Sequence, residues 1–296
     1  MSVPYGQVLA KQVIPTKAER EGQLVLSDSL ALARLLMQEA SRLGREVLGI
    51  GVGVAELVDL EGNVTSGQTI RWRGLSVQED FSQIAPAVVE SDVRAAALAE
   101  CLFGAGRGLR IVVYVTVGTG ISYSLVNEGH PFPGSRGNAL ILSSSPLSTR
   151  CTHCGEVLKP ILEEFSSGPA LVSRYNRRSS SKVTRAEEVM SAVGHDPVAL
   201  DVVRTAGEAL GVSTAFLVNT LDPDAVIVGG GLGLAGGPYW ESFLSSTRKH
   251  IWAENSRDLP ILRAALGNDA GLVGAAATVV LSKHPEQLSR IIVPQP

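Results

Sequence analysis

The chain has 296 residues, of which 45% are hydrophobic and 19% charged, enough for two lobes or one large domain at roughly 100–200 residues each. Its 26 Lys and Arg against 29 Asp and Glu give a net charge of −3, and the cations are scattered, which argues against nucleic-acid and anionic-membrane partners. No apolar run approaches the roughly 20 residues of a bilayer span, the start MSVPYGQVLAKQ lacks a signal pattern, and three cysteines are too few for a secreted disulfide scaffold, so a cytoplasmic location is expected.

Tyr5 to Val13 reads as an edge strand, with Gln23 to Leu26 its continuation or the lead into a helix. From Leu30 to Leu43 the leucines fall on one helical face between Ser27-Asp28-Ser29 and Gly44, so start and stop signals agree. Val47 to Val54 is apolar without alternation, as in a strand covered on both faces. A turn through Asp59-Leu60-Glu61-Gly62 follows, then a short strand Ala87 to Val89 running into Glu90-Ser91-Asp92 and an alanine-rich helix from Val93 to Phe103. Arg110 to Val117 and Ile121 to Val126 read as strands joined across Gly118-Thr119-Gly120, with Asn127-Glu128-Gly129 turning the chain back. Beyond a Cys151–Cys154 insert, helical patterns occupy Leu158 to Phe165, Arg185 to Val193 and Ala199 to Leu221. Strand Ala225 to Val228, the cluster Gly229-Gly230-Gly231, strand Ile261 to Leu266 and helix Gly271 to Leu281 complete an α/β protein.

Glycine turns after strands matter because bare backbone N–H groups can face phosphate oxygens, helped by the positive end of a following helix. Gly118-Thr119-Gly120 and Gly229-Gly230-Gly231 are two such places. The order of motifs adds context: Ile50-Gly51-Val52-Gly53-Val54, Glu90-Ser91-Asp92 leading into AAALAE, Val117 to Ile121, Ser167-Gly168-Pro169-Ala170-Leu171, Leu221-Asp222-Pro223 with VIVGGG, and Asp269-Ala270-Gly271-Leu272-Val273-Gly274-Ala275-Ala276. In sequence and spacing, residues 5 to about 282 resemble the ROK family of repressors, open reading frames and sugar kinases. The resemblance implies a two-lobed, actin-like, hexokinase-like (ribonuclease H-like) ATPase fold, with residues 1–105 as the first lobe, truncated at its N-terminus, and 106–296 as the second. It also implies a sugar ligand, ATP with magnesium as donor, Gly118, Thr119 and Gly120 at the nucleotide phosphates, Gly229, Gly230 and Gly231 at the adenosine, and a homodimer. Asp92 falls at the family's general base, a role that suits a carboxylate able to take a hydroxyl proton during phosphoryl transfer; its purely structural alternative is an N-cap.

The chain also departs from the family pattern. The family's opening Asp-x-Gly-Gly-Thr turn has no counterpart in this sequence, since Gly6-Gln7-Val8-Leu9-Ala10 already matches a second or third strand. Sugar-binding positions fall at Thr69, Ser91, Asn138 and Glu163, with Asn138 in place of a glutamate and Ile141 in place of a histidine. The family's zinc motif is reduced to Cys151-Thr152-His153-Cys154-Gly155; structural zinc wants four ligands, so Cys151 and Cys154 are either half of a metal site or a pair of reduced thiols. Three functions follow as expectations: a sugar kinase using Asp92; a sugar sensor without turnover; or a glycoside hydrolase pairing Asp92 with Glu163, or either with Glu56 or Glu90.

Overall fold

The computed structural model describes residues 8–283. In chain order the elements are α1 (Gly22–Arg42), β1 (Ile50–Val54), α2 (Val77–Ser82), β2 (Ala87–Ser91), α3 (Asp92–Phe103), β3 (Ile111–Val117), β4 (Ile121–Asn127), β5 (His130–Pro131), β6 (Thr149–Arg150), β7 (Val157–Leu158), α4 (Glu163–Ser166), α5 (Gly168–Arg178), α6 (Ala186–Ala192), α7 (Pro197–Leu221), β8 (Ala225–Gly229), α8 (Gly237–His250), β9 (Ile261–Arg263) and α9 (Ala270–Lys283). They divide into two compact units. Of the described residues, 8–108, 126–139 and 268–283 form the first and 109–125 and 140–267 the second, a division more interleaved than one cut after residue 105.

In the first unit β1 and β2 pair in parallel, with Val54 opposite Ser91. Helix α9 lies against α3 closely enough that a Cβ on Gly274 would meet the Ala95 carbonyl oxygen at 1.7 Å; only glycine permits backbones to approach so far, and this contact brings the end of the chain back to the first unit. Val25, Leu26, Val54, Trp72, Phe81 and Val89 build the core beside the strands. Helix α1 starts eight residues ahead of the expected Leu30. Ser27-Asp28-Ser29 lies inside it rather than capping it: the Ser29 hydroxyl donates to Val25 O at 2.8 Å and Asp28 pairs with Arg20, while Trp72 Nε1 donates to Gly22 O at 3.0 Å and draws the helix start inward. The strand expected over Tyr5 to Val13 is not found over Val8 to Val13, where Lys11 is instead tied to Asp269; Tyr5, Gly6 and Gln7 lie outside the described residues.

In the second unit the sheet order runs β4, β3, β8, β9, and β4 continues into residues that pair with β5. Strands β3, β8 and β9 are parallel, and β8 is buried along its whole length, as its unbroken apolar run demands. Helix α7, capped by Asp196 through Val198 and Ala199 N–H groups, buries Val202, Val203, Ala206 and Leu210. The helix expected over Leu158 to Phe165 is replaced by β7 and the short α4; Pro160 supplies no N–H for a helical bond, and Leu147 N–H bonds its carbonyl oxygen. No helix among the described residues is long and apolar enough to cross a membrane.

Candidate active site

Strand β2 passes into α3 without a loop, which sets Ser91 and Asp92 at the junction. Ser91, buried and in extended conformation, takes the N-cap: its Oγ accepts the Arg94 N–H at 3.5 Å. Asp92 is therefore the first residue of the helix rather than its cap, and its carboxylate is released from the structural task a capping aspartate would perform. The residue is solvent-exposed but crowded by surrounding protein. Loss of hydrating water raises its carboxyl above the ordinary aspartate range; the Val93 N–H opposes this, and the negative charge of Glu56 adds to it.

Glu56, just beyond β1, is 7% exposed. Its Oε1 accepts the backbone N–H groups of Thr69 at 2.5 Å and Ile70 at 2.7 Å, and its Oε2 accepts Gln68 N–H at 3.0 Å and the Ser66 hydroxyl. Burial pushes this carboxyl up, but the Ser66, Ile70, Gln68 and Thr69 donors together outweigh it and hold the group below its usual range. Glu56 is thus an ionised anchor for the loop of residues 66–70, with both oxygens engaged, and is unsuited to be the proton-donating half of a hydrolytic carboxylate pair. The loop leaves Thr69 exposed.

Arg94 performs a similar task one turn into α3. Its Nε donates to Glu90 Oε1 at 2.6 Å, Nη1 to Gly137 O at 2.6 Å and Nη2 to Val58 O at 2.8 Å. Asn138, next to Gly137, is thereby carried on a pinned backbone and is exposed. Sequence reasoning missed Arg94; the available signal was a charged residue in an alanine run with Glu90 four positions before it, the spacing of a helical ion pair. Asp92, Ser91, Thr69, Asn138 and their two anchors all belong to the first unit.

The remaining expected positions lie in the second unit. Gly118-Thr119-Gly120 forms the β3–β4 turn, closed by Gly118 N–H to Gly120 O at 2.9 Å, and Gly168 N–H bonds Gly118 O at 2.8 Å. Glu163 Oε2 accepts the Ile121 N–H at 2.7 Å, so one oxygen of this expected sugar ligand braces the turn. After β8, Gly230 has φ +82°, and a Cβ there would stand 2.3 Å from Val117 O, whereas Gly231 faces open space. Gly118, Thr119 and Gly231 line a cavity of about 890 Å³ together with Gly168 and Pro169 at the start of α5 and Gly237 at the start of α8. Gly120, Gly229 and Gly230 shape the turns behind it rather than its wall. The two helix starts were missed as site elements; Ser167 before Gly168-Pro169, and Pro238 one residue into α8, are the signals that could have found them. Cys151 and Cys154 sit apart, on the β6–β7 hairpin. No group of three or more His, Cys, Asp or Glu side chains among the described residues could hold a metal ion, so the donor set does not fit zinc.

Comparison with known proteins places this geometry. Residues 5–281 match the family model of the ROK family. The glucokinase of Streptomyces coelicolor is 30% identical, the match covering 96% of this chain and 93% of the relative. A ROK hexokinase from Thermus thermophilus superposes with a TM-score of 0.78 at 30% identity over 94% of this chain and 93% of that one. A ROK glucokinase from Streptomyces griseus, solved with glucose and AMPPNP, does so with a TM-score of 0.75 at 27% identity over 92% of each chain. The fold is that of the ROK sugar kinases, an actin-like α/β architecture, and the chain belongs to the ROK family.

Proposed function

We propose that the protein is a sugar kinase that transfers the γ-phosphoryl group of ATP to a hydroxyl of a hexose or amino sugar, with Asp92 as general base. The observation that carries the reading is the release of Asp92 from capping, since Ser91 accepts the N–H instead. A sugar hydroxyl that donates to the Asp92 carboxylate gives up its proton there as its oxygen attacks phosphorus, and the ADP oxygen leaves in line. Thr69 and Asn138, exposed on backbones pinned by Glu56 and Arg94, are suited to hold other sugar hydroxyls. Ser91 Oγ, an acceptor for the helix, retains its own proton for donation, and Glu163 keeps Oε1 as an acceptor beside the turn it braces.

For the nucleotide, the Gly118–Gly120 turn presents backbone without side-chain bulk, and the start of α8 adds N–H groups that helix geometry leaves unpaired. Magnesium enters as part of the ATP substrate. The match to a glucokinase from Streptomyces coelicolor and to the Streptomyces griseus glucokinase solved with glucose and AMPPNP supports both halves of the assignment. A homodimer belongs to the same reading and is checked by light scattering. The hydrolase reading has no relative among these proteins and loses Glu56, whose oxygens are committed to the loop.

The test is release of ADP from ATP and magnesium by the purified chain across hexoses and amino sugars. Sugar-dependent release with at least one sugar is expected. Sugar binding without ADP release under any condition would replace the kinase by a sensor.

A further inference from the structure

We propose that Cys151 and Cys154 form a reversible dithiol–disulfide couple, a thiol-exchange site on the β6–β7 hairpin that reacts with low-molecular-weight disulfides. The hairpin turn Cys151-Thr152-His153-Cys154-Gly155 is closed by Gly155 N–H to Cys151 O at 2.8 Å and by Cys151 N–H to Glu156 O at 2.7 Å. Gly155 adopts φ +79°, a conformation that glycine takes without strain. This turn sets the two cysteines three residues apart on one tight bend, where the backbone N–H groups of Cys154 and His153 and the neighbouring Cys154 thiol hold the Cys151 thiol below its usual range. Cys151 is half-buried and Cys154 exposed, and both line the cavity that opens beside the hairpin, so a small disulfide entering it can meet either sulfur.

The surroundings favour exchange over metal. No third His, Cys, Asp or Glu joins the two sulfurs among the described residues, where tetrahedral zinc needs four ligands. A cavity of about 950 Å³ opens beside the hairpin, with Arg150, Arg177 and Arg178 on its wall. Arg178 is fixed by Asp201 at 2.6 Å, its buried Nε has no hydrogen-bond partner among the described residues, and Thr152 Oγ1 bonds the same Asp201 at 2.8 Å. The hairpin and the Arg178 guanidinium therefore share one support, and the cavity wall, where four arginines and Lys249 outnumber Glu156, Glu208 and Glu241, suits an oxidant that carries carboxylates. In the reaction, the Cys151 thiolate attacks one sulfur of the small disulfide and displaces a thiolate. Cys154 then loses its proton and attacks the Cys151 sulfur of the mixed disulfide, releasing the second thiol. Two protein thiols are oxidised to one disulfide, and the small disulfide is reduced to two thiols.

The full chain, as purified without chelator and again after incubation with oxidised glutathione, is unfolded, alkylated and weighed by mass spectrometry, alongside Cys151→Ser and Cys154→Ser. The wild-type protein is expected to lose two hydrogens and two alkylatable thiols, with a peptide joining Cys151 to Cys154 and Cys101 still labelled. Cys154→Ser is expected to stop at one glutathione adduct on Cys151, and Cys151→Ser to form no internal bridge. Three free thiols in the treated wild type would overturn the proposal, as would a bridge through Cys101 or one zinc ion per chain in the untreated protein.

Discussion

Arg94 Nη1 donates to the Gly137 carbonyl oxygen at 2.6 Å across 43 residues of sequence, and the same guanidinium pairs with Glu90 and reaches Val58 O. Three segments of the first unit meet at this one buried side chain, which sits two residues from Asp92. Replacing it strands a carboxylate and two carbonyls.

Arg94→Leu is therefore expected to lower unfolding stability by about 3–5 kcal/mol, the usual cost of removing one partner from a buried ion pair. Urea unfolding measures it. Arg94→Lys keeps the charge but not the fork that serves Glu90, Val58 and Gly137 together, so it should recover only part of the loss. Full recovery by lysine would reduce the role to charge alone.

Glu56 gives a pH signature. Its carboxyl is held below the ordinary range by the Ser66, Ile70, Gln68 and Thr69 donors against the upward push of burial. A depressed carboxyl stabilises the fold above its unfolded-state pKa, near 4.3 for glutamate, and that contribution is lost as pH falls through the lower folded value. Glu56→Gln should cost about 1.5–3 kcal/mol at neutral pH, the scale of a hydrogen bond to a charged group, and should flatten the acid side of the stability profile. A variant with an unchanged acid side would show that the carboxylate is not the anchor.

The nucleotide turn separates binding from folding at two adjacent glycines. Gly231 faces open space within the cavity wall, whereas Gly230 has a positive φ and Val117 O stands 2.3 Å from any Cβ there. Gly231→Val should keep its melting temperature and lose at least tenfold in ATP affinity by titration calorimetry. Gly230→Ala should melt earlier. Unchanged ATP affinity in Gly231→Val would move the nucleotide elsewhere.

The environment of Asp92 predicts where activity falls in acid. Desolvation foremost, with Glu56 repulsion, raises its carboxyl, and a base must be ionised to accept a proton. The acid limb of kcat/KM should therefore lie above the ordinary aspartate value of about 3.9 and move down when the repulsion is removed in Glu56→Gln. A limb that does not move would assign it to another group.

Much of this was legible in the sequence. The strand Ala87 to Val89 running into Glu90-Ser91-Asp92 and the glycine turns after Val117 and Val228 are local patterns, and the resemblance supplied their order. What was not legible depends on contacts between distant segments. Arg94 binds carbonyls 36 and 43 residues away, and α9 returns to α3 through the close approach at Gly274. Glu56 looked like a free carboxylate because its four donors lie 10 to 14 residues further on, in a loop with no periodicity. Ser91 rather than Asp92 caps α3 because the extended backbone ends at Ser91 and the helix begins one residue earlier than Val93, a boundary shift that propensity does not resolve.

The central assignment is tested most directly by comparing ADP formation by the wild-type protein and Asp92→Asn with a sugar that supports turnover, while titration calorimetry follows sugar and ATP affinity in both. A fall in kcat of roughly 100- to 10,000-fold, with both affinities kept within a few-fold, is the expected result. An Asp92→Asn protein that turns over like the wild type would contradict Asp92 as the base.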